Sequence, residues 1–92
     1  MQVVIVRFIK VAFLRVDTQT ILTIDSAVIT RSTRVNLRHS VDRDDTLRSG
    51  QRKTWQLIVK DVLPSDAGAY MCQLNTEPMV FQQAFLHVTG DR

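Results

Sequence analysis

The dominant period along the chain is two. "VAFLRV", "TILTI", "RVNLRH", "TWQLIV", "YMCQL" and "FLHV" are short runs rich in β-branched, aromatic and aliphatic residues, which suits a pleated, half-buried strand. Turn-forming strings punctuate them: "IDSA" after the second run, "RSGQ" before the fourth, "LPSDAG" after it and "NTEP" between the fifth and sixth. No stretch carries an apolar stripe at helical spacing. The pattern predicts strands over 11–17, 20–25, 34–39, 54–60, 69–75 and 80–88, with a further short strand near 28–30. Residues 2–8 alternate weakly and can pair as a strand, and 40–53 read as a long, polar hairpin loop. Short strands separated by frequent turns suit an all-β, antiparallel sandwich or barrel.

Length and composition narrow this to one unit. Ninety-two residues make one small domain, spanning 1–92. With 45% hydrophobic and 23% charged residues, the chain has the make-up of a globular domain and not of a disordered one. No apolar run reaches the roughly 20 residues that cross a bilayer. Arg7 and Lys10 interrupt the apolar opening "MQVVIVRFIKVAFLRVD", and no small-residue cleavage site follows, so no signal peptide is read there. The net charge is +3, concentrated in Arg31, Arg34, Arg38, Arg43, Arg48, Arg52 and Lys53. Such a stretch suggests a polyanion site, for a glycosaminoglycan or nucleic acid. Asp42, Asp44 and Asp45 lie inside it, however, and mixed signs without interleaved aromatics fit solvated strand edges better.

The sharpest local signal is "LPSDAGAYMC". Asp66, Gly68, Tyr70 and Cys72 stand at D-x-G-x-Y-x-C spacing. Gly68 permits a tight approach where the chain enters a strand. Tyr70 precedes Cys72 by two residues, so both face the core on one side of the pleat. The Tyr70 hydroxyl can then bond backbone at the preceding corner. Asp66 needs a basic partner at the base of the sandwich, and Arg34 is the candidate. These residues, together with "KVAFLRVDTQTILTI" (10–24), "VITR" (28–31), "KTWQLIVKDV" (53–62) and "AYMCQLNTEPM" (69–79), resemble the first, variable-type immunoglobulin domain of a neuronal cell-surface family. That family includes lachesin, the Dpr-interacting proteins and, more distantly, the IgLONs. The resemblance runs from about residue 11 to 88 and implies a V-set-like sandwich.

The chain departs from that pattern in two places. Cys72 is its only cysteine, whereas the family's strand B supplies a partner for it. The tryptophan that the resemblance places on strand C is Phe13, and Trp55 lies on a different strand. The domain therefore reads as N-terminally truncated, lacking the normal A and B strands, with 1–10 atypical. Either the chain is a fragment or mispredicted start of a longer protein, or residues 2–8 substitute for strand B. A non-functional truncated product is a further reading. An inter-sheet disulfide of this kind would stabilise by about 4 kcal/mol, a large share of a small domain's stability.

With Phe13, Tyr70 and Cys72 facing inward, alternation sends Leu14, Val16, Met71, Gln73 and Asn75 to the other face of the C–C′–F–G sheet. The C′ segment adds Leu22 and Ile24, or on the opposite parity Ile21 and Thr23; the first pair is the expectation. Met79 and Phe81 extend the face on strand G, and Asp17, Gln19 and Thr76 rim it. An apolar patch on one sheet face points to a protein contact. The resemblance implies the partner: an immunoglobulin-domain cell-surface protein, bound homophilically or heterophilically, with Gln73 near the centre. It also implies an extracellular location, with membrane attachment only through parts outside this chain, and no nucleic acid partner. No enzyme, metal or cofactor site is expected. His39 and His87 share no ligand or dyad spacing, "DRDD" lacks the glycine and glutamate of a calcium loop, and no phosphate loop is present.

Overall fold

The computed structural model describes residues 1–5, 10–76 and 78–89. Among these residues, eight strands run in chain order: β1 (Gln2–Ile5), β2 (Val11–Arg15), β3 (Thr20–Ile24), β4 (Ala27–Val28), β5 (Val35–Arg43), β6 (Gln51–Val59), β7 (Gly68–Leu74) and β8 (Val80–Leu86). One 3-10 turn, Pro64–Asp66, precedes β7. The strands form two antiparallel sheets, ordered β1-β6-β5 and β4-β3-β2-β7-β8. The chain is thus an all-β immunoglobulin-like sandwich.

Alternation explains the layers. Phe13 stands opposite Cys72 across β2 and β7, and Arg15 opposite Tyr70. Phe13, Tyr70 and Cys72 are buried together with Val11 and Leu22. The facing sheet contributes Val3, Trp55 and Leu57, and Val3 pairs with Trp55 in register. β1 pairs antiparallel with β6, so residues 2–5 form an edge strand of the three-stranded sheet. Its inward residue is Val3, not a cysteine. Residues 6–8 of the strand expected over 2–8 lie outside the described residues. Cys72 has no disulfide partner.

Two expectations need correction. The first is the 40–53 loop. β5 runs on to Arg43 and β6 starts at Gln51, with Ser40, Val41, Asp42 and Arg43 each paired across the ladder. Only residues 44–50 connect them. This end of β5 is solvent-exposed throughout, so no buried face imposes an apolar alternation on its sequence. The backbone ladder that pairs the strand there leaves no mark on residue type. The tip is organised by Asp44, which accepts from the backbone N–H of Thr46 at 3.0 Å and from Arg52 at 2.8 Å.

The second correction concerns parity on β3. Ala12 pairs with Ile24 and Phe13 with Thr23, but Leu14 pairs with Ile21. One extra residue, Leu22, is therefore inserted into β3 between the latter two pairs, a β-bulge. Leu22 and Thr23 both turn inward and are buried, while Ile21 and Ile24 are 44% and 43% exposed. Neither simple parity holds. Leu22 is a core residue, only 5% exposed, and not part of the outward face.

Candidate protein-interaction face

The base of the sandwich fixes the sheet that carries the face. The Tyr70 hydroxyl donates to the backbone oxygen of Asp66 at 2.6 Å, inside the fold. Asp66 in turn accepts from Arg34 through both carboxylate oxygens, with Nη2 to Oδ1 at 2.9 Å. It also accepts the backbone N–H of Leu63 at 2.7 Å. Arg34 further reaches the carbonyls of Lys60 and Asp61. One guanidinium thus ties the start of β5 to the β6–β7 connection. The Arg34 guanidinium, followed by the Leu63 N–H, holds the Asp66 carboxyl down at about 2. Gly68 sits at φ +140°, and a Cβ there would lie 3.1 Å from Asp17 Oδ2. Asp17 occupies that space because Arg15 holds it at 2.9 Å, while Arg15 also donates to the Ala67 carbonyl at 2.8 Å.

Register then defines the outward face of the five-stranded sheet. Leu14 stands opposite Met71 and Ala12 opposite Gln73. Across the next ladder Met71 faces Gln83, Gln73 faces Phe81, and Ala69 faces Phe85. Paired residues share a face, so Leu14, Met71 and Gln73 lie on one side, joined by Ile21 and Ile24 from β3 and by Phe81 and Phe85 from β8. Leu14, Met71 and Gln73 are half-buried, whereas both isoleucines and both phenylalanines are exposed. Gln73 Nε2 lies 3.6 Å from the Met71 sulfur, a weak contact that orients the amide across the face. A hollow of about 100 Å3 beside it is lined by Ala12, Ile24, Gln73, Asn75 and Met79, among others.

The remaining expected residues divide. Val16 follows β2, half-buried, its N–H bonded to the Ala69 carbonyl at 2.9 Å. Asn75 is exposed, but its side-chain oxygen accepts the Lys10 N–H at 2.7 Å, so it secures the entry to β2. Asp17 is paired with Arg15, Gln19 sits in the β2–β3 turn at φ 53°, and Thr76 donates to the Pro78 carbonyl. Trp55 is buried and stacks on His39 with 3.9 Å between ring centroids. Phe85, 68% exposed, extends this face beyond the expected residues; its sequence signal is its distance from Phe81, an even number of positions along one strand.

Within the basic stretch, several side chains are paired with carboxylates. Arg34 is bound to Asp66, Arg43 to Asp45 and Arg52 to Asp44. In the β5–β6 ladder, Arg38 and Arg52 alternate to one face and Arg43 and Lys53 to the other. Cys72 is fully buried, and burial pushes its thiol up to about 11, the opposite of a reactive thiolate. Among the described residues no group of three or more His, Cys, Asp or Glu is set to hold a metal ion. No helix among them is long and apolar enough to cross a membrane.

No protein-family profile and no curated protein matches the chain. Solved structures do. In the crystal structure of Dpr1 IG1 bound to DIP-eta IG1, the matched chain is 38% identical, with a TM-score of 0.69, over 96% of this chain and 80% of that one. In the complex of Dpr2 Ig1-Ig2 with DIP-Theta Ig1-Ig3, the figures are 39% and 0.65 over 91% of this chain, which spans 27% of that longer one. The RIG-5 IG1 homodimer matches at 28% identity and a TM-score of 0.68, over 98% of this chain and 83% of that one. With a sandwich, corner motif and identity of this extent in common, the chain belongs, as a first, variable-type immunoglobulin domain, to the neuronal cell-surface family that includes the Dpr and DIP proteins.

Proposed function

We propose that this domain recognises another immunoglobulin domain at a cell surface by docking the outward face of its β4-β3-β2-β7-β8 sheet, homophilically or heterophilically. The observation that carries this reading is the convergence of Leu14, Ile21, Ile24, Met71 and Phe81 around Gln73 on one face. The aliphatic and aromatic groups supply area to be desolvated, as the core of a docking patch does. Gln73 both donates and accepts, which suits a contact that fixes register and can lie on a two-fold axis. The relatives support the same reading. Dpr and DIP first domains are crystallised bound to one another, and the RIG-5 domain is crystallised as a homodimer.

The test is sedimentation of the chain alone and with a panel of Dpr and DIP IG1 domains. Leu14→Asp and Gln73→Ala should each weaken association, Leu14→Asp by about tenfold or more. Gln73→Ala changes a half-exposed position and keeps the test valid should Leu14→Asp fail to fold. Unchanged association in both folded variants overturns the proposal. Salt separates it from polyanion binding: apolar docking changes little between low and high salt, whereas capture of a sulfated glycan falls steeply.

A further inference from the structure

We infer that the base of the sandwich holds a binding site for one neutral, glycosidically linked sugar ring, separate from the protein-docking face. A cleft of about 290 Å3 opens there. Small-molecule sites begin at roughly 300 Å3, so the space suits a single ring. Both sheets supply its apolar floor: Leu22 and Tyr70 from the five-stranded sheet, Val35 and Val59 from the three-stranded one. Leu22 and Tyr70 belong to the buried core, which fixes that floor. Leu14, Met71 and Gln73 of the docking face do not line the cleft.

The rim chemistry points to the ligand class. Hydroxyl groups converge from three connections: Thr18 and Thr20 at the β2–β3 turn, Thr30 and Ser32 between β4 and β5, and Ser65 in the 3-10 turn. Thr30 and Ser32 each accept a backbone N–H, at 3.2 and 3.3 Å, and each keeps its own O–H to donate. The Thr18 and Thr20 hydroxyls bond to each other at 2.7 Å, and the pair can still give and accept further bonds. A sugar ring matches such a rim, because its hydroxyls also donate and accept while its C–H face packs on an apolar floor. The arginines decide the charge. Arg15 is held by Asp17 and Arg34 by Asp66, so both guanidiniums reach the cleft already neutralised. An anion would meet those carboxylates and have to displace one, whereas a neutral ring needs no exchange. Arg15 lies over the Tyr70 ring, 5.6 Å from its centroid, and its Nη1 takes no part in the described hydrogen bonds. That group is placed to donate to a sugar oxygen. The two ion pairs set the walls before a ligand arrives, which lowers the ordering cost of binding.

Amide NMR of the chain, titrated with the methyl glycosides of glucose, mannose and galactose, tests the inference. At least one should bind in the millimolar range, shifting the amides of Thr20, Thr30, Ser32 and Ser65 and leaving those of Leu14, Met71 and Gln73 in place. Thr20 and Ser65 are exposed, so Thr20→Val combined with Ser65→Ala should stay folded and raise the dissociation constant about tenfold. Gln73→Ala, which disrupts the docking face, should leave sugar binding unchanged. Added salt should not weaken it, as it would the binding of an anion. Glycosides that move no amide of the cleft, shifts centred on Phe81 and Phe85, tighter binding of inorganic sulfate at the same amides, binding of the free hexoses but not of their glycosides, or undiminished affinity in the folded double variant would each overturn the inference.

Discussion

The middle of the sandwich and its base hold the two sheets together by different means. In the middle, Phe13 and Cys72 are fully buried and face Val3, Trp55 and Leu57. Among the described residues, no disulfide or hydrogen bond joins the sheets there. Two buried polar atoms, Thr23 Oγ1 and Trp55 Nε1, lack a hydrogen-bond partner, each at a cost of about 1–3 kcal/mol. At the base, by contrast, Arg34, Asp66, Leu63 and Tyr70 form a chain of oriented bonds with few unmet groups. The middle therefore supplies bulk stabilisation and tolerates imperfection. The base sets which residue sits where. With no disulfide at Cys72, the apolar middle has to supply what a covalent link would otherwise add.

The largest effect should come from breaking the middle. Phe13→Ala removes a fully buried ring and is expected to lower unfolding free energy by about 4 kcal/mol, enough in a domain of this size to leave no cooperative melt by circular dichroism. Breaking the base should cost less and show a pH signature. Asp66→Asn loses the charge-assisted bonds to Arg34 and is expected to destabilise by about 2 kcal/mol. In the parent the folded Asp66 carboxyl is held at about 2, against about 3.9 in an unfolded chain. A lowered acid stabilises fully above the unfolded value and loses that contribution as pH falls through the folded one. The parent's melting temperature should therefore drop between about pH 4 and pH 2 more than that of Asp66→Asn; parallel curves would remove Asp66 from the account. The smallest effect belongs to Tyr70→Phe, which deletes one buried hydroxyl and its bond to the Asp66 carbonyl, about 1 kcal/mol in chemical denaturation.

The same contrast explains what the sequence made legible. Most of the base is readable because Asp66, Gly68, Tyr70 and Cys72 form one local string, to which Arg34, 32 positions away from Asp66, is the candidate partner. The face was readable only as far as alternation holds. Leu14, Met71 and Gln73 follow from the inward Phe13, Tyr70 and Cys72. "TILTI" does not yield in this way, because apolar residues at 21, 22 and 24 fit either parity. The bulge that turns Leu22 inward and Ile21 outward is set by pairing with β2, a tertiary fact with no local spelling. The exposed end of β5 was hidden for a related reason: with neither face buried, its residues alternate for nothing. The place beside β6 was read both as vacant and as open to residues 2–8. Local pattern cannot choose, since "QVVI" pairs as a strand only where Trp55 and its neighbours offer it a ladder.

The solitary thiol of Cys72 has a practical consequence. Sealed between the layers and protonated at neutral pH, it meets a thiol-directed dye only when the sheets part. The domain therefore carries a native clock for its own breathing: the labelling rate, read against that of an unstructured peptide, gives the frequency of opening without any engineered probe.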